Sequence, residues 1–257
     1  MKLIEVKNLT KRFGGLVAVN DVDFYIEEGE IFGLIGPNGS GKSVMFNTIT
    51  GVYKSDGGTV VFMGEYITDL PSHVINEKGI GRTFQGSKVF LGLTPLQNVM
   101  VGRHCRTRSH LLRAIVRSSF TRREERDTEE MAMHYIEMVG MGLVEKKDTP
   151  IKDLTYVMRS LTGIAIALAT DPKIIFLDEP IAGMNPTEIV HSMELIQRIR
   201  DTGITVFLVE HNMKAIMGMC ERIMVLNMGS KIAEGAPQEI SRNEEVVQAY
   251  LGRNYGA

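Results

Sequence analysis

The chain has 257 residues, 44% of them apolar, which suits one large domain or two modest ones and excludes a disordered or fibrous polymer. Its 29 basic and 31 acidic residues leave a formal charge of −2, no electrostatic footprint for general nucleic-acid binding. Two cysteines, Cys105 and Cys220, give neither a disulfide framework nor metal-ligand spacing, and no apolar run approaches the ~20 residues that cross a bilayer, so a reducing, cytoplasmic setting is expected.

Lys2 to Lys7 and, more loosely, Leu16 to Ile26 alternate between apolar and polar residues, predicting two antiparallel strands separated by Phe13-Gly14-Gly15. The apolar run Glu30 to Ile35 enters a glycine-rich turn, Lys42 to Thr50 is helical with Gly51 as C-cap, and Gly57 to Met63 is a further strand. From Gln85 to Asp171 strand candidates are few, and helices are expected near Thr94 to Gly102, Thr128 to Gly140 and Tyr156 to Thr170. Buried strands return at Lys173 to Leu177 and Thr205 to Val209, each preceded by a helical stretch, the alternation of a parallel sheet. Arg222 to Leu226 and Lys231 to Glu234 flank Asn227-Met228-Gly229-Ser230, a hairpin signal, and a helix from Asn243 to Leu251 closes the chain. The reading is therefore an α/β core with an antiparallel β subdomain and an inserted helical subdomain at about residues 86–171, within a single domain spanning 1–257.

Gly36-Pro37-Asn38-Gly39-Ser40-Gly41-Lys42-Ser43 fits the phosphate-loop pattern G-x-x-x-x-G-K-[ST], after an apolar strand and before a helix as that pattern requires. Glycines let successive backbone N–H groups converge on phosphate oxygens, and the helix N-terminus adds its dipole. Lys42 offers a cation to the β and γ phosphates, and the Ser43 hydroxyl can ligate Mg²⁺. Downstream, Ile174-Ile175-Phe176-Leu177-Asp178-Glu179-Pro180 delivers two adjacent carboxylates at the C-terminal end of a buried strand, the edge where open α/β sheets bind ligands. Asp178 is the candidate for holding Mg²⁺ and Glu179 for general base.

The order of phosphate loop, Thr83-Phe84-Gln85, helical insert, Leu177-Asp178-Glu179-Pro180 and Val209-Glu210-His211 resembles the ATPase domain of ABC (ATP-binding cassette) proteins over essentially the whole chain. The resemblance implies that Phe13 stacks on adenine, Gln85 senses Mg²⁺ and couples to a membrane partner, and His211 contacts the γ-phosphate. Phosphate-loop kinases share the first motif, but Leu-Asp-Glu-Pro and the later histidine favour hydrolysis over phosphoryl transfer to a small acceptor. Gly81 to Gln85, Leu93 to His104 and Ala182 to Glu188 are similar to the ATPases of branched-chain amino-acid importers. Cassettes for urea or amides and for lipopolysaccharide export share much of these stretches. Asn185 stands where many ABC proteins carry aspartate.

What the resemblance implies is an ATPase using ATP and Mg²⁺ as one of two ATPase subunits, homo- or heterodimeric, held at the cytoplasmic face of the inner membrane through permease subunits. A soluble ABC scaffold, or a hydrolysis-impaired cassette paired with a competent partner, is the alternative. An RNA-associated cassette protein is a further rival, though such proteins usually carry two cassettes in one chain. Arg103 to Arg126 holds eight arginines against two glutamates, with Arg106, His110, Arg113 and Arg117 within ~60° on a helix. That face either is solvated or meets anionic lipid or a permease loop.

One stretch departs from the family. The signature Leu-Ser-x-Gly-Gln, which reaches the γ-phosphate held by the opposite subunit, corresponds to Leu154-Thr155-Tyr156-Val157-Met158. Thr155 can supply the hydroxyl, whereas Val157 replaces glycine and Met158 replaces glutamine. Either a compensated one-residue deletion has displaced the motif or the motif is absent and its helix is structural.

Overall fold

The computed structural model describes residues 1–83, 89–106 and 119–251. In chain order, β1 (Lys2–Phe13) and β2 (Leu16–Glu27) lead to β3 (Ile31–Ile35) and α1 (Lys42–Ile49), followed by β4 (Gly57–Phe62), β5 (Glu65–Tyr66), α2 (Ser72–Glu77) and β6 (Ile80–Arg82). The helical region comprises α3 (Pro95–Gly102), α4 (Ser119–Val139) and α5 (Tyr156–Leu168). The chain then runs through β7 (Ile174–Asp178), α6 (Pro186–Asp201), β8 (Thr205–Val209) and α7 (Met213–Met219), and ends in β9 (Arg222–Asn227), β10 (Ser230–Gly235), α8 (Pro237–Arg242) and α9 (Glu244–Leu251).

Two sheets result. One is antiparallel, in the order β2-β1-β4-β5, and the other has the order β10-β9-β3-β8-β7-β6, parallel except for β10. β1 and β2 pair out to Phe13↔Leu16, so Phe13 ends a strand instead of lying in the turn, and both strands exceed the stretches that alternate in sequence. Met228 and Gly229 link β9 to β10 with φ of 47° and 83°. Positive φ at both central residues is the turn whose twist suits a two-residue hairpin.

β3, β7 and β8 of the larger sheet are almost wholly apolar and buried because both of their faces are covered. With side chains alternating across the sheet, Ile31, Ile175, Leu177, Val206 and Leu208 face a core shared with α3, α4, α5 and α6. Phe32, Phe176, Phe207 and Met224 face the opposite core, where Met45, Phe46 and Ile49 of α1 meet the antiparallel sheet. α1 is thus held between the two sheets. The Phe46 ring lies 4.8 Å from Phe176 and 5.1 Å from Phe207, centroid to centroid. Burial of each such ring contributes about 1.5–3 kcal/mol.

Between Arg82 and Ile174 the described residues form helices and turns and no strand. α3 starts at a capping box, Thr94 with Gln97, and has Pro95 in its first turn. α4 begins nine residues before the expected Thr128, because the run Glu124-Glu125-Arg126 has no apolar period but consists of strong helix formers. Leu96, Val99, Ile136, Leu161 and Leu168 from these helices share one cluster with Ile175 and Leu177 of the sheet. Short elements with little periodicity, namely α2, β6 and α8, are not legible in the sequence. The basic face expected on Arg106, His110, Arg113 and Arg117 lies outside the described side chains. No described helix is long and apolar enough to cross a membrane.

Since Phe46 both fills the aromatic cluster and seats the helix that begins at Lys42, Phe46→Ala is expected to destabilise the nucleotide-free chain by about 3–5 kcal/mol in urea unfolding. A loss below about 1 kcal/mol would mean that this cluster does not hold α1 in place.

Candidate functional site

Parallel strands place their C-terminal ends at one edge, and three of those ends carry the residues of interest. β3 opens into the phosphate loop, β7 ends at Asp178-Glu179, and β8 ends at Glu210-His211. The loop is wedged between distant parts of the chain. A Cβ on Gly36 would lie 2.1 Å from the Leu226 carbonyl oxygen, and one on Gly41 would lie 2.3 Å from that of Ala18. The turn after β9 completes the support, since Gly229 N–H donates to the Ser40 carbonyl at 2.9 Å and Asn20 N–H donates to the Gly229 carbonyl at 2.8 Å.

Within the loop Lys42 is buried, and its Nζ donates to the carbonyls of Gly36 at 2.8 Å and Pro37 at 3.0 Å. The cation therefore braces the curve of its own loop. Asn38 and Gly39 are exposed, and a Cβ on Gly39 would meet nothing within 4 Å, so the outer side of the curve stays open.

Asp178 is 7% exposed, and its N–H donates to Thr83 Oγ1 at 3.2 Å. Burial raises its pKa, while the nearby Arg82 guanidinium, 3.9 Å from Oδ2, opposes the rise. Its Oδ1 is a buried acceptor without a hydrogen-bond partner among the described residues. Arg82 itself donates to Thr50 Oγ1 at 2.5 Å and lies over the Phe46 ring, so it joins the end of α1 to the end of β7. Neither Arg82 nor Thr83 stands out as a site residue in the sequence, although an arginine closing a short apolar strand beside a phosphate loop is a usable signal.

Glu179 has φ of 50°, a left-handed conformation that costs a non-glycine residue about 1–2 kcal/mol. Its N–H donates to the Val209 carbonyl at 2.9 Å and its carbonyl accepts from Ala182 N–H at 3.2 Å, which hold the turn. In that conformation Oε1 reaches His211 Nε2 at 2.5 Å. Both residues line an open cleft of about 710 Å³ whose other walls are the loop from Asn38 to Val44, Phe13 and Leu16 from the antiparallel sheet, and the Met228-Gly229 turn. Phe13 is 44% exposed there, with its ring edge-on to Tyr53 at 5.4 Å.

The structure thus gathers Phe13, the phosphate loop, Glu179 and His211 around one cleft, with Asp178 just beneath. Gln85 lies outside the described residues. Thr155 and Val157 do not line this cleft. Thr155 is the N-cap of α5, its hydroxyl accepting the Met158 N–H at 3.2 Å, and this helix end is exposed. Val157 and Met158 are half-buried and pack on the core. Asn185 caps α6, accepting from the amides of Thr187 and Glu188 at 3.0 Å each, a duty asparagine performs as well as aspartate.

A family model described as ABC transporter matches residues 19–182, and one described as branched-chain amino acid ATP-binding cassette transporter matches residues 230–255. The chain belongs to the ABC transporter family, as an ATP-binding ATPase subunit. It is 40% identical over 251 residues to the high-affinity branched-chain amino acid transport ATP-binding protein BraF of Pseudomonas aeruginosa, covering 97% of this chain and 98% of that one. The corresponding protein LivG of Escherichia coli is 38% identical over the same length and the same coverage. Among solved structures, the ADP conformation of MJ1267, an ATP-binding cassette of an ABC transporter, superimposes with a TM-score of 0.84 at 30% identity, covering 98% of this chain and 99% of that one. Matches to transport proteins over nearly the whole length do not favour the soluble-scaffold or impaired-cassette alternative.

The raised pKa of Asp178 gives a stability test with a definite sign. A carboxyl whose folded pKa lies above its unfolded one adds stability that is complete below the unfolded value and lost as pH rises through the folded value. Asp178→Asn removes the ionisation, so its melting temperature is expected to exceed that of wild type near pH 8, with the gap closing toward pH 4. A gap that widens on acidification would contradict the burial argument.

Proposed function

We propose that the chain is the ATP-hydrolysing motor subunit of an ABC importer for branched-chain amino acids, held at the cytoplasmic face of the membrane by permease subunits. The observation that carries the chemistry is the cleft in which Glu179 and His211 face the open side of the phosphate loop. ATP fits it with adenine against the exposed ring of Phe13 and the phosphates on the amides between Gly36 and Ser43, where the start of α1 also favours negative charge. Lys42 would exchange its loop carbonyls for phosphate oxygens. Ser43 and Asp178 offer the hard oxygen donors that suit Mg²⁺, and the unpartnered Oδ1 of Asp178 fits that role, with Gln85 as a third donor. Bound there, Mg²⁺ would neutralise charge on the β and γ phosphates.

In this reading Glu179 accepts a proton from the attacking water, and the His211 Nε2–H that orients the Glu179 carboxylate is shared with the γ-phosphate when ATP is bound. Water activation and phosphate contact are thereby joined by one hydrogen bond. ATP binding would close a head-to-tail dimer over two such clefts, closure would drive the permease, and hydrolysis would reset it. Glu179→Gln is expected to bind ATP as wild type does while hydrolysing it at least ~100-fold more slowly. Turnover at the wild-type rate would remove Glu179 from the role of base.

The exposed start of α5 supports a second part of the proposal, that Thr155 and the first amides of this helix reach the γ-phosphate bound by the partner subunit. Val157, whose side chain packs on the core, leaves the backbone less free to approach than a glycine would, and Met158 brings no amide side chain. A missing charge-assisted hydrogen bond to phosphate is worth about 1.5–3 kcal/mol, or tens- to hundreds-fold in rate. Replacing Val157-Met158 by Gly-Gln is therefore expected to raise the ATPase rate of the isolated chain at least ~10-fold. An unchanged rate would mean that Thr155 and the helix end suffice as they stand.

A further inference from the structure

Glu210 is the carboxylate that the chemistry above does not use. It follows the last residue of β8, is 3% exposed, and is absent from the lining of the nucleotide cleft. Its oxygens take backbone donors from two separate segments. Oε1 accepts the Ile181 N–H at 2.9 Å, and Oε2 accepts the His211 N–H at 3.1 Å. The Asn212 amide also donates toward it. Ile181 lies two residues beyond Glu179 at the end of β7, whereas His211 lies at the end of β8, so one side chain bridges the turns that present the two facing cleft residues.

We infer that Glu210 is the positioning residue that sets Glu179 and His211 in register for hydrolysis. The inference rests on the assignment of Glu179 as base. Direct participation of Glu210 as a second base is ruled out by its burial and by the engagement of both oxygens. What it controls is placement. The Glu179 turn is bent into a left-handed conformation, and its contact with His211 spans two loops that leave neighbouring strands. The Val209 carbonyl fixes the first amide of the turn, and Glu210 fixes the amide two residues later, so the turn is pinned on both sides of Pro180. The same carboxylate holds the amide of His211 itself. A shift of about 1 Å between the two side chains is enough to lose much of the benefit of a prealigned base.

A carboxylate is the group that this arrangement requires. Every contact is a donor, so an ionised side chain accepting on both oxygens is matched, whereas Glu210→Gln would turn an NH₂ group toward one of those N–H donors. Burial raises the pKa of Glu210, and the amides of Ile181, His211 and Asn212 work against that rise and favour the charged form.

The test is a mutant cycle on the full-length chain, using steady-state ATPase, single-turnover hydrolysis and binding of a fluorescent ATP analogue. Glu210→Gln is expected to lower kcat at least ~10-fold while the KM for ATP and the analogue affinity stay within about 3-fold, because the phosphate loop belongs to β3 and is untouched. Glu210→Asp, which keeps the charge, is expected to lose less, and it carries the same cycle should the glutamine variant fail to fold. In the Glu179→Gln background either substitution is expected to produce a much smaller fold-loss, since only His211 is left for Glu210 to position. A role confined to structure would weaken analogue binding, or would multiply through equally in both backgrounds. Wild-type kcat in Glu210→Gln, or an undiminished effect in the Glu179→Gln background, would overturn the assignment of Glu210 alone. Wild-type turnover in Glu179→Gln itself would overturn the base assignment and this inference with it.

Discussion

A parallel strand buried on both faces has no room for charge along its length, and that constraint organises the whole molecule. β3, β7 and β8 are apolar and buried at nearly every position, so polar chemistry is confined to their ends. Because the strands run in one direction, those ends gather at one edge. The phosphate loop, the Asp178-Glu179 pair and the Glu210-His211 pair are neighbours through strand order alone, although more than a hundred residues separate the first from the last.

Crowding charge at such an edge opposes stability, and the fold answers with a partner for each buried ion. Lys42 is held by loop carbonyls, Arg82 stands against Asp178, and Glu210 is wrapped in backbone amides. These arrangements differ in kind. The backbone amides around Glu210 are fixed dipoles and stay in place when a ligand arrives, whereas side-chain contacts, such as Lys42 with its loop carbonyls and Glu179 with His211, can be remade around a reacting phosphate. The rigid contacts lie beneath the site and the exchangeable ones line it.

Much of this was legible in the sequence. An apolar run ending in a glycine-rich turn and Lys-Ser identifies β3 and its loop, and a similar run ending in Asp-Glu identifies β7, because local pattern and local structure coincide there. The paired glycine-containing turn after β9 was legible for the same reason. Arg82, Thr83 and Glu210 fall within stretches that the sequence singles out, but their roles were not legible there, because these arise from contacts with residues far along the chain: Arg82 with Thr50 and Asp178, Thr83 with Asp178, Glu210 with Ile181. The helix at Ser119 started earlier than its apolar periodicity, since its first turns do not use an apolar face. Thr155 could be recognised as a helix cap by residue type, but no single chain reveals what an exposed helix end meets in an assembly.

The clasp that Gly229 places on Ser40 links the order of synthesis to the moment when the site is finished. The phosphate loop leaves the ribosome within the first fifth of the chain, yet β3 lies between β8 and β9, and its loop is braced by the turn that follows β9. A nascent chain that has already exposed Gly36 to Ser43 must wait for almost two hundred further residues before both flanking strands and the clasp exist. Contacts of such long range are slow to form. A partly translated cassette therefore has the nucleotide motif in its primary structure before it has the cradle, and a chain that ends before the final hairpin lacks both β9 and the Gly229 amide on which the loop rests.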